Sequence, residues 1–145
     1  MTFYRLARSA HADLSGEGAR MYGGRYNPRG VPAVYASETI ALATLEILVH
    51  LQTSEIPTDY VWMAVEVKRR NIRFLSAAAA RIRDTRTVSI SRAAEFRRVF
   101  YKRPVLRVPS IIIPREHDYV LLPESPELEA HLTWTEAFRS DPRLF

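Results

Sequence analysis

Residues 15–51 read SGEGARMYGGRYNPRGVPAVYASETIALATLEILVHL: a glycine-rich loop, a short β-branched run and an apolar segment in immediate succession. All five glycines of the chain, Gly16, Gly18, Gly23, Gly24 and Gly30, fall inside this loop. Glycine is needed where φ is positive or where a backbone approaches another group closely. The loop therefore reads as a folded segment with special geometry. The run 31–36 is rich in Val with a Tyr, which predicts a strand. Ser37 or Thr39 then caps a helix that runs to about Gln52.

Working outward, residues 3–8, 60–67, 72–75, 105–113 and 119–122 read as strands, with 105–113 interrupted at Pro109–Ser110. Residues 77–83, 91–101 and 126–132 read as helices. Strands and helices alternate irregularly, which favours an α+β domain over a repeating βαβ unit. No repeat or Gly/Ser linker divides the 145 residues, so the expectation is one domain over 1–145. Hydrophobic residues make up 47% and charged residues 26%, close to the globular norm. With no cysteine, a disulfide scaffold, a thiolate zinc site and a cysteine nucleophile are excluded. The N-terminus lacks the apolar stretch of a signal peptide, and residues 40–51 are too short to span a bilayer. A soluble cytoplasmic domain is the expectation.

The net charge of +5 is unevenly spread. Residues 61–107 carry thirteen Lys or Arg against three acids, whereas residues 1–60 and 108–145 are net acidic. A basic middle third points to an acidic partner or to a solvated basic face.

Glu46 is the sharpest single residue. It lies inside the apolar helix with Leu42, Ala43 and Val49 on its own face. An ionised carboxylate there needs a partner, His50 or an arginine, or it opens onto a polar cleft. Arg25 directly follows two glycines. Its guanidinium either grips a phosphate bidentately or is exposed on a turn. Arg5, in the first strand, is a second candidate cation. Tyr26 and Tyr35 either stack on a flat ring or fill the core. Ser110 hydrogen-bonds either a substrate or its own backbone. The four histidines have no metal-ligand spacing, so no metal is expected.

The set GGRYN, VYASETIALATLEILVHL, LRVPS and DPRL resembles the RES-domain family, toxins of RES–Xre toxin–antitoxin systems named for an arginine, a glutamate and a serine. The resemblance runs from Tyr4–Arg5 to the C-terminus. Arg25, Glu46 and Ser110 stand at the naming positions. Tyr35 matches a family tyrosine and Arg5 an N-terminal arginine. Members often carry Trp where Tyr26 stands, and an Asn-Pro pair with a nearby His where this chain has EHDYVLLPESP.

The resemblance implies a single compact domain similar to ADP-ribosyltransferase toxins, with small mixed sheets and packed helices. It implies NAD as substrate, no cofactor, and cleavage of the nicotinamide–ribose bond by a glycohydrolase or phosphorylase. Glu46, Arg25, Tyr35 and Ser110 would be catalytic. Arg5, Gly24, Arg25, Tyr26, Asn27 and Tyr35 would bind NAD. The implied partner is an Xre-type helix-turn-helix antitoxin, with DNA contacted only through it, no membrane association, and room for a homodimer within the complex. Two alternatives stand beside this: a protein ADP-ribosyltransferase toxin, and a basic nucleic-acid-binding protein or ribonuclease motivated by the basic middle third.

Overall fold

In the computed structural model, which describes residues 1–51, 58–83, 97, 98, 100 and 102–144, the chain forms one mixed sheet with helices at its sides. The strands are β1 (Thr2–Arg8), β2 (Val34–Ser37), β3 (Tyr60–Val67), β4 (Ile72–Phe74), β5 (Val105–Pro109), β6 (His117–Leu121) and β7 (Ala130–Ala137). The helices are α1 (Glu17–Tyr22), α2 (Ile40–Leu48) and α3 (Ala77–Arg83). This is the α+β class that the irregular alternation predicts. No helix among the described residues is long and apolar enough to cross a membrane.

The strand order is β4-β5-β6-β2-β1-β3-β7. Only β4–β5 is parallel; all other neighbours are antiparallel. The ladder is uneven. β1 pairs with β3 along its whole length, from Thr2–Glu66 to Arg8–Tyr60, and β2 pairs with β6 over four residues. Between β1 and β2 the register holds at one pair, Tyr4 and Ser37. The sheet is thus two well-zipped halves that part at this seam. Backbone groups released there are free to face a ligand or a side chain rather than a neighbouring strand.

Two apolar clusters flank the sheet. Tyr26, Val31, Phe100, Leu106, Val108 and Val120 form one; Phe3, Val34, Val65, Tyr119 and Leu121 belong to the other. The alternation is plain in β6, where Tyr119 and Leu121 join one cluster and Val120 the other. Phe3 and Tyr119 stack with centroids 3.6 Å apart.

Helix α2 begins as the sequence predicts. The Thr39 Oγ1 accepts from the Leu42 N–H at 3.0 Å and donates to Glu116 at 2.7 Å, so the cap also ties the helix to the β5–β6 loop. The helix ends at Leu48, not near Gln52: His50 and Leu51 donate back three residues, to Ile47 and Leu48, in a closing turn. Gln52 lies outside the described residues, and so does most of the predicted helix 91–101. The predicted helix 126–132 is corrected. Two turns end at Glu127, irregular backbone follows, and strand β7 starts at Ala130. The buried Asn71 takes the place of helical bonding. Its Nδ2 donates to the Glu127 carbonyl at 2.7 Å and its Oδ1 accepts from the Glu129 N–H at 3.1 Å. The chain is thereby delivered to β3, where β7 becomes a mostly exposed edge strand.

Candidate functional site

Where β1 and β2 part, a cavity of about 470 Å³ opens. β1 contributes Arg5, β2 Tyr35 and Ser37, the glycine-rich loop Gly24, Arg25 and Tyr26, α2 Glu46 and His50, and β6 Asp118. The volume lies within the range of small-molecule sites.

The loop is shaped by two close approaches. Gly16 has φ +70° and presses on the Ala33 backbone, where a Cβ would lie 2.6 Å from the Ala33 nitrogen. At Gly24 a Cβ would meet both the Asn27 Oδ1 and the Tyr35 hydroxyl at 2.5 Å. Gly24 is therefore required for the Tyr35 hydroxyl to reach the loop. That hydroxyl accepts from the Tyr26 N–H at 3.0 Å and donates to Asn27 Oδ1 at 2.7 Å. Asn27, fully buried, passes the tie on by donating to the carbonyls of Ala19 and Val31, both at 2.9 Å. Burial pushes the Tyr35 phenol above its ordinary range, so it stays a protonated donor at neutral pH.

Glu46, half-buried on α2, turns to the sheet rather than to His50. Its Oε1 accepts from the Ser110 Oγ at 3.0 Å. Ser110 is buried where β5 gives way to a tight loop. Its Oγ also accepts from the N–H groups of Ile112 and Ile113, each at 3.1 Å. With two backbone donors directed at its oxygen, the hydroxyl proton is left to point at Glu46. The Pro109–Ser110 interruption in an otherwise β-branched run is the local cause: β5 stops and the serine turns inward.

Arg5 is half-buried, and burial lowers its pKa, while Asp13 acts against that shift. It donates to the Tyr35 carbonyl at 3.2 Å, whereas its Nε has no hydrogen-bond partner among the described residues. It also borders a smaller polar cavity lined by His11, Asp13 and Glu17. Arg25 stands close enough for its charge to act on both Tyr35 and Asp118.

Of the residues singled out in the sequence, Arg5, Gly24, Arg25, Tyr26, Tyr35 and Glu46 all line one cavity. Ser110 stands behind Glu46. Asn27 is not in the wall; every polar atom of its side chain is spent on the loop. The Asn27 side chain braces the loop from behind the cavity. Tyr26 both lines the cavity and belongs to the core, and the Tyr35 hydroxyl is consumed by the loop, which leaves its ring as the part available to the cavity. Sequence reasoning missed Asp118. The available signal was a lone acid in HDYVLL, on the face opposite Tyr119, followed by three residues that are all buried.

The RES domain family model matches residues 2–141. A protein named Toxin Res from Photorhabdus laumondii is 32% identical over 99% of this chain and 97% of its own length. A protein named Prs ADP-ribosylating toxin, from a Sphingobium strain, is 32% identical over 87% of this chain and 84% of its own. A chain in the crystal structure of the M. tuberculosis MbcT–MbcA toxin–antitoxin complex superposes with a TM-score of 0.66 at 19% identity, covering 94% of this chain and 83% of that one, which shows a shared fold. With the family model spanning nearly its whole length and toxins among its end-to-end relatives, the chain belongs to the RES-domain family.

Proposed function

We propose that this RES-domain protein is the toxin of a toxin–antitoxin pair and that it cleaves the nicotinamide–ribose bond of NAD. The observation that carries the reading is Glu46: a carboxylate held by Ser110 at the wall of a cavity that also presents two arginines and a tyrosine ring. In NAD the nicotinamide is already a cationic leaving group. Its C–N bond breaks with the electron pair going to the ring nitrogen, and the ribose gains oxocarbenium character, as in glycoside hydrolysis. A fixed carboxylate beside that carbon stabilises the developing charge without reorganising. Arg25 and Arg5 supply the cations for the pyrophosphate, and the ring of Tyr35 or Tyr26 a face for nicotinamide. Water or phosphate then takes the ADP-ribose.

Transfer of ADP-ribose to a protein is the second reading, favoured by the relative named as an ADP-ribosylating toxin, which matches 87% of this chain. Both begin with the same bond cleavage. The partner on this reading is an Xre-type antitoxin that carries the DNA contacts and covers the cavity mouth, where Tyr22 and Ile111 are exposed.

Expression without the antitoxin tests this. The cellular NAD pool should fall before growth stops. Growth arrest with an intact NAD pool would refute NAD depletion and favour either transfer of ADP-ribose to a protein or the nucleic-acid alternative. Arg25→Lys should weaken NAD binding about tenfold, because an ammonium cannot reproduce the planar two-donor grip on a phosphate. The effect should appear in KM if the contact is equal in ground and transition states. Unchanged KM and kcat in the Lys variant would remove Arg25 from the phosphate site.

A further inference from the structure

Asp118 on β6 is an acidic group in the cavity that nothing above uses. Its Oδ1 accepts from the Ser37 Oγ at 2.7 Å, and its carboxyl lines the same cavity as that of Glu46, near enough for the two to act on each other. Two carboxyl groups bond to each other only with a proton between them. Glu46 is thus held by the Ser110 hydroxyl from the β5–β6 loop and shares its cavity with a carboxyl from β6.

We propose that Asp118 is a positioning residue for Glu46: fixed by Ser37, it donates its proton to the Glu46 carboxylate and, with Ser110, holds that carboxylate toward the cavity. The role rests on the reading of Glu46 as the group beside the breaking bond.

The surroundings decide which carboxyl keeps the proton. Burial pushes Asp118 up to about 7; the Ser37 hydroxyl opposes this, the charge and hydrogen bond of Glu46 add to it, and Arg25 opposes it. The groups facing Asp118 are Ser37 of β2, Glu46 of α2 and Arg25 of the loop, with His50 also lining the cavity; across the β5 ladder stands Val108. Next to it in the chain, His117 points to the other side of the sheet, where it meets Glu38 at 3.2 Å and Arg107 at 2.9 Å. Below neutrality Asp118 is a neutral donor toward Glu46. As pH rises through about 7 Asp118 loses its proton and can no longer donate, and Glu46 loses that support.

Nicotinamide release from NAD as a function of pH, on the purified wild type, Asp118→Asn and Asp118→Ala, tests this. The wild-type kcat should fall on the alkaline side of neutrality. Asn donates an amide N–H but does not titrate, so it should rescue turnover and lack that alkaline limb. Ala should lower kcat about tenfold with KM changed less than about twofold, since the support acts through Glu46 and not on bound NAD. An alkaline limb that persists in Asp118→Asn, or an Ala variant with wild-type kcat, would overturn the role.

Thermal unfolding without NAD gives a second readout. The folded-state pKa lies above the unfolded value, so the stability this group contributes is present at low pH and lost as pH rises through about 7. The Tm of the wild type should therefore fall relative to that of Asp118→Asn between about pH 4 and pH 7. Parallel Tm curves would overturn the shared proton. A wild type that opens this Tm gap yet releases no nicotinamide at any pH would keep the Asp118–Glu46 bond and retire the NAD reading.

Discussion

Glu46→Gln should lower NAD turnover about 100-fold or more, the scale for removing one fixed electrostatic contact from a transition state. The substitution keeps the side-chain volume, and a glutamine Oε1 still accepts from the Ser110 hydroxyl that now binds Glu46 at 3.0 Å. What disappears is the charge. Because α2 is anchored independently, through the Thr39 cap and the buried Leu42 and Ala43, the variant should fold. Its Tm, measured beside its rate of nicotinamide release, separates the two effects. Near-normal turnover in a folded Gln variant would make Glu46 a structural residue.

Asn27→Ala should have the largest effect on stability. The Asn27 side chain is fully buried, donates to the carbonyls of Ala19 and Val31, and accepts from the Tyr35 hydroxyl. Truncation leaves those three groups without that partner in a site too tight to rearrange freely. The cost is about 2–4 kcal/mol, or roughly 6–12 °C in Tm for a chain of this size. It should also loosen the loop that carries Arg25. Thermal or urea unfolding measures it, and a loss under about 0.5 kcal/mol would show that the loop is held by other means.

The contrast between Asn27 and Glu46 shows what was legible in the chain. Glu46 could be found because a carboxylate inside an apolar helix violates its local pattern. Strand β3 was read at its observed bounds because YVWMAVEV states its own preference, and the start of α2 was narrowed to Ser37 or Thr39, of which Thr39 is the cap, because capping acts locally. Asn27 sits in a loop where any asparagine looks plausible as a ligand contact; only the fold shows its amide consumed by the carbonyls of Ala19 and Val31. Strand β7 was missed for a related reason. Its sequence is half polar because it is an edge, and the helix-like PELEAHL before it is overruled by Asn71, more than fifty residues away in the chain. Asp118 became visible only when β6 brought it against Ser37 and Glu46. The seam between β1 and β2, which makes the cavity, is a property of strand registers that no single segment encodes.

Chromatographic or mass-spectrometric detection of free nicotinamide, after incubating the purified protein with NAD, tests the central claim most directly. The account predicts nicotinamide released together with an equal amount of ADP-ribose, free, phosphorylated or protein-bound. NAD recovered intact, from a folded protein whose cavity is not covered by an antitoxin, would contradict it.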